Sequence, residues 1–203
     1  MRYLSPALVL MGALMLQAPV AHAAPITFVA TLSQANEVPP TGSPGTGNAT
    51  VIIDPVANTM HVDVTFSGLV SNTTASHIHC CLAFPLQSGV NAPFVATTVP
   101  TFPGFPLGVT SGTYSHDFNL LDAGTYNPAF VTAEGGTVAL AEAALVAGIE
   151  NEETYLNIHT VMFGGGEIRG FLVPTPEPAS LLLLGSALLG FGLMRRRNLA
   201  GRS

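Results

Sequence analysis

The chain contains no tryptophan and no lysine, only 9% of its residues are charged, and its two cysteines, Cys80 and Cys81, are adjacent. Each shortage excludes something. All six cations are arginines, and five of them, Arg2, Arg195, Arg196, Arg197 and Arg202, stand at the two ends. Between Pro25 and Leu172, Arg169 alone faces eleven carboxylates, a formal charge of −10 with histidine neutral. A body so poor in cations is excluded as a partner of nucleic acid or anionic lipid, since it has nothing with which to displace their counterions. Scarce charged helix formers argue against a helical bundle, whereas 21 glycines and 16 prolines favour strands joined by turns.

What is present is apolar: 48% of 203 residues, enough for one core of ordinary size plus targeting segments. Arg2, the apolar run Ala7 to Leu16, Pro19 and Ala21-His-Ala23 have the charged, hydrophobic and small-residue regions of a secretory signal peptide, with cleavage by signal peptidase expected after Ala23. At the other end, Pro174-Thr-Pro-Glu-Pro178 is a stiff linker, and Ala179 to Met194 is almost wholly apolar before Arg195-Arg-Arg197. As a helix this run would reach about 24 Å, enough to span a bilayer if the arginines snorkel and stay on the cytoplasmic side.

The segment Val173 to Arg197 closely resembles the PEP-CTERM sorting signal of Gram-negative bacteria, with the motif at Pro176, Glu177 and Pro178. The resemblance implies cleavage near that motif by an exosortase-type membrane protease. The C-terminal transmembrane helix is then a transient anchor, and the protein passes from an inner-membrane intermediate to the cell surface or extracellular matrix.

Within the body, Ile26 to Leu32 alternates as a strand, and Ala49 to Ile53 with Met60 to Phe66 reads as a hairpin holding Val62, Val64 and Phe66 inward. A short strand surrounds His77 to Cys81, a proline- and glycine-rich excursion follows from Phe84 to Gly112, and Thr113 to Leu120 resumes strand alternation. Thr137 to Gly148 is helical, with Thr137 as N-cap, Gly148 as stop, and Val138, Leu140, Ala141, Leu145 and Ile149 facing the sheet. The hairpin from Thr154 to Val173, turning at Gly164 to Gly166, closes the domain. The pattern predicts a mainly β fold, a Greek-key or similar β-sandwich with one inserted short helix and hydrophobic helices at both termini.

Three segments together resemble the CHRD domain: Phe28 to Pro40 (FVATLSQANEVPP), Ser76-His-Ile-His79, and Tyr155 to Thr160 with Gly165-Gly-Glu-Ile-Arg-Gly170. The resemblance implies a compact immunoglobulin-like β domain over 24–172, between the signal peptide (1–23) and the sorting segment (173–203), and brings no established activity. Gly164 departs from the family's Phe-Pro-Gly-Gly-Glu turn and is expected to loosen it.

On a regular strand His77, His79 and Cys81 share one face, and His159 lies beside Asn157 on the outward face of its own strand. If the two strands are neighbours, three imidazoles with Cys81 or Glu167 as a fourth ligand suit copper or zinc. The plainer reading has these histidines bonding backbone and carboxylates. Adjacent cysteines sit about 3.8 Å apart across a trans peptide, which resists a bridge and leaves a strained disulfide, intermolecular linkage or thiol ligands open. Glu167 and Arg169 share a face, consistent with a local ion pair, and Asn36-Glu37 reads as a loop cap. No nucleophile elbow, phosphate-binding loop or spaced catalytic carboxylate pair is present. The sequence therefore points away from an enzyme and toward an exported structural or binding module of the cell surface, its partners exopolysaccharide or other matrix components. The alternative is a copper- or zinc-dependent redox or hydrolytic enzyme built on His77, His79 and His159.

Overall fold

The computed structural model describes residues 24–81 and 91–175. Residues 1–23, expected to be a signal peptide, residues 82–90 and everything from Pro176 onward, including the Pro-Glu-Pro motif and the apolar run, lie outside the described residues.

Four strands form long antiparallel ladders: β1 (Ile26–Ser33), β2 (Thr46–Asp54), β3 (Thr59–Ser67) and β6 (Gly112–Asn119). Alternation decides their faces. Met60, Val62, Val64 and Phe66 are buried, while His61, Asp63 and Thr65 face out. The β2–β3 turn forms because the Asp54 carboxylate accepts from the backbone N–H groups of Val56 and Ala57, 2.9 Å each, and Asn58 takes a left-handed φ of 53°.

The remaining strands are β4 (Thr73–Cys80), β5 (Phe94–Val95), β7 (Tyr155–Thr160), β8 (Ile168–Phe171) and β9 (Val173–Pro174). The spatial order is β5-β4-β7-β8-β1-β2-β3-β6, with β9 also on β1. An immunoglobulin-like sandwich needs two stacked sheets; the described strands instead make one curled antiparallel sheet. β1 is the seam. One edge pairs with β2 throughout, and the other carries β8 at Ser33 and β9 at Phe28 and Val29, so the two halves are continuous.

Two helices close the curl rather than one: α1 (Pro128–Ala133), capped by Asn127, and α2 (Val138–Glu150), whose Thr137 side chain accepts from the N–H of Leu140. Ala141, Leu145 and Ile149 enter the core, but Leu140 is half exposed. Gly148 does not stop the helix. It lies within the last turn, where a Cβ would sit 2.6 and 2.8 Å from the sulfurs of Cys80 and Cys81, so glycine serves close packing there. Among the described residues no helix is long and apolar enough to cross a membrane.

The proline-rich excursion covers the edge of β4 that β7 leaves open. Ala96 and Phe102 donate backbone N–H groups to Ile78 and Ser76, and the Thr97 and Thr101 hydroxyls accept from the N–H groups of the same two residues. Irregular backbone thus satisfies a strand edge that would otherwise be unpaired.

Candidate functional site

Pairing of β4 with β7 builds the site. His77 stands opposite Asn157, His79 opposite Tyr155, and Ala75 opposite His159. Period-two alternation then puts His77, His79, Tyr155, Asn157 and His159 on one face, while Ile78, Cys80, Leu156 and Ile158 go to the core. Adding β8 brings Arg169 opposite Asn157 and Phe171 opposite Tyr155. This second face is not open to water: every residue of β7 is buried and Arg169 is wholly so.

The three histidines meet. One ring nitrogen from each lies within 4.8 Å of the others, and the His77 and His159 ring centres are 4.6 Å apart. His77 Nε2 donates to the Pro100 carbonyl at 3.1 Å, and His159 Nδ1 to the Gly164 carbonyl at 2.9 Å. His79 stacks on Tyr155 at 4.8 Å and 10°, and the Arg169 guanidinium lies 4.5 Å from the ring centre of the same tyrosine. Burial pushes the His77 imidazole down to about 4, with His159 adding repulsion. His79 falls to about 3, first by burial and then by the charges of His77, His159 and Arg169. Burial also lowers His159, against its bond to Gly164. All three rings are neutral at pH 7, so each holds a nitrogen lone pair.

Cys81 and Glu167 stand elsewhere. Cys81 follows the end of β4 rather than continuing its alternation, and its sulfur is bonded to that of Cys80 beneath Ala144 and Gly148 of α2. Both sulfurs are thus on the core side, away from the imidazoles. Glu167 is a knot between loops: its carboxylate accepts from the Ser43 hydroxyl (2.5 Å), the Val70 N–H (2.7 Å) and the Thr160 hydroxyl (2.7 Å).

Nor does Glu167 pair with Arg169. Glu167 precedes β8 and turns into its own network, whereas Arg169 reaches Glu37 at 3.9 Å, the Asn36 carbonyl, and the Asn91 side-chain oxygen at 2.9 Å. Burial raises the Glu37 carboxyl to about 7, against the pull of Arg169 and the Asn157 amide. Asn157 Nδ2 donates to Glu37 at 3.3 Å and to the Gly165 carbonyl at 3.4 Å. A side chain at Gly166, whose φ is +127°, would collide with both Asn157 and Glu37, so the glycine turn is shaped to this pair. Glu37 also lines a cleft of about 340 Å³ between residues 37–41 and 162–166.

Reading Asn36-Glu37 as a loop cap missed this partnership. The signal was in the composition: a domain with one arginine and a mainly apolar interior must give that arginine a carboxylate if it is buried.

No curated protein and no solved structure matches the chain. Two family models do, and together they take in the β domain and the tail. The PEP-CTERM protein-sorting motif matches residues 174–197, which makes this an exported protein, sorted by exosortase through the inner membrane to the cell surface or extracellular space. The CHRD domain model matches residues 28–172, nearly the whole of the curled sheet with its histidine face, and the chain belongs to the CHRD domain family.

Proposed function

We propose that the chain delivers its β domain to the cell surface as a non-enzymatic module of the extracellular matrix, bound to exopolysaccharide or other matrix components. Signal peptidase removes residues 1–23, the apolar run from Ala179 to Met194 holds the intermediate in the inner membrane, and exosortase cuts near Pro176, Glu177 and Pro178.

One observation carries the reading: the last described strand lies just before the motif. Val173 and Pro174 pair with Val29 and Phe28, and the Thr175 N–H and hydroxyl both donate to the Thr27 carbonyl at 2.9 and 3.0 Å. Cleavage at the next residues therefore leaves every described strand in place.

The test is fractionation of host cells with and without exosortase. The expected result is a shortened chain in the matrix fraction of the parent, and a full-length chain in the inner membrane both of the exosortase deletion and of a Pro176→Ala, Glu177→Ala, Pro178→Ala variant. A processed chain found free in the medium, with none retained by matrix, would overturn the module reading while leaving the sorting intact.

A further inference from the structure

We propose that His77, His79 and His159 bind one copper ion in its monovalent state, through His77 Nδ1, His159 Nε2 and one ring nitrogen of His79.

The first argument is polar accounting. Buried nitrogens normally have partners, yet His77 Nδ1, both nitrogens of His79 and His159 Nε2 are buried with none among the described residues. Four such atoms on three rings that share one small volume mark a place for something that accepts lone pairs.

The second argument is preorganisation. In each of His77 and His159 the nitrogen opposite the orphan donates to a backbone carbonyl, which puts the proton on that side and leaves the lone pair on the other. His79 is held differently, by stacking in a column of imidazole, phenol and guanidinium with Tyr155 and Arg169. All three ring planes are thus fixed from outside the cluster. Metal–imidazole bonds of about 2.0 Å place ligand nitrogens about 3.4 Å apart, and one nitrogen from each ring already lies within 4.8 Å of the others.

The third argument selects the ion. Among the described residues the ligand set is imidazole alone: Glu167 is committed to Ser43, Val70 and Thr160, the cysteine sulfurs lie on the opposite face, and the neighbouring Arg169 is itself a cation. A monovalent ion meets half the repulsion from Arg169 that a divalent one meets. Three neutral nitrogens also satisfy Cu(I), which needs no anion or water to complete its shell, whereas a three-histidine zinc site keeps an open position for water. This inference is independent of how the domain is sorted.

The experiment uses the full chain in detergent, without a polyhistidine tag, titrated anaerobically with Cu(I) against bicinchoninate and separately with Zn(II). The expected result is one equivalent of Cu(I), retained by His61→Asn and weakened about a hundredfold or more by His77→Asn or His159→Asn. Imidazole ¹⁵N spectra of the wild-type chain supply a readout independent of variant folding. Copper should shift Nδ1 of His77 and Nε2 of His159 and leave the two carbonyl-bonded nitrogens protonated. Absence of a one-equivalent site, unshifted histidine nitrogens, or preference for Zn(II) would each overturn the assignment.

Discussion

His61 and the histidines of β4 and β7 are the same side chain placed in opposite solvents. His61 stands on the outer face of β3, where its two nitrogens meet Asp117 at 2.6 Å and Asp63 at 3.0 Å, and the Asp117 hydrogen bond, the largest influence, raises its pKa. His77, His79 and His159 have no carboxylate, and burial lowers all three. The difference extends to the surrounding sheet. In β1, β2, β3 and β6 polar side chains alternate outward into water, so each is replaceable. In β4, β7 and β8 both faces are largely covered, and buried polar groups such as Arg169, Asn157 and Ser76 are held by partners from other parts of the chain.

The largest test of that contrast is Arg169→Met. It keeps much of the side chain's length but leaves Glu37, the Asn36 carbonyl and the Asn91 side chain without their cation, and a loss of about 3–5 kcal/mol in urea-unfolding free energy is expected. A loss below about 1 kcal/mol would show that this face tolerates substitution as the outer face of β3 does.

Glu37 gives the next effect, read through pH. Its folded-state pKa of about 7 lies above the ordinary 4.5, so its stabilising contribution is fully present below pH 4.5 and is lost as pH rises through 7. The difference corresponds to a loss on the order of 3 kcal/mol. The buried histidines act in the opposite sense: their contribution is present above 6.5 and is lost as pH falls toward 4 for His77 and 3 for His79. Unfolding free energy of Glu37→Gln should therefore lose the decline on the alkaline side and keep the decline on the acid side. An unchanged alkaline arm would place the titration on another group.

Gly164→Pro probes the turn that orients His159. Gly164 is the second residue of a turn closed by the Gly166 N–H and the Phe163 carbonyl at 3.0 Å, and a Cβ there meets nothing within 4 Å. Proline suits that position, and a gain of about 0.4–1 kcal/mol in thermal unfolding is expected. The smallest effect belongs to His61→Asn on the exposed ladder, about 0.5 kcal/mol or less by the same assay.

How much of this could be read from the chain follows the same division. The strands of the ladder half were legible because each has one dry and one wet face, which stamps period two on residues such as Val62, Val64 and Phe66. Thr137 announced α2 because a cap is a local interaction. Leu140 and Gly148 were misread for want of knowledge of what each would face. The convergence of His77, His79 and His159 required β4 and β7 to be neighbours, which no local pattern fixes. Glu37 with Arg169, and Glu167 with Ser43, join residues more than a hundred positions apart. Such pairs leave no periodicity. Only the scarcity of cations pointed toward the first, and nothing pointed toward the second.

The position of β9 has a mechanical consequence. If the tail is held in the membrane, as proposed above, any pull on the domain enters through Thr175 and reaches β1 across two registered residue pairs, against eight between β1 and β2. Load would therefore be taken first by a ladder of two pairs. Peeling β9 would lengthen the tether before any load passes through Leu172 into β8, the strand that carries Arg169 and Phe171 beside the histidine face.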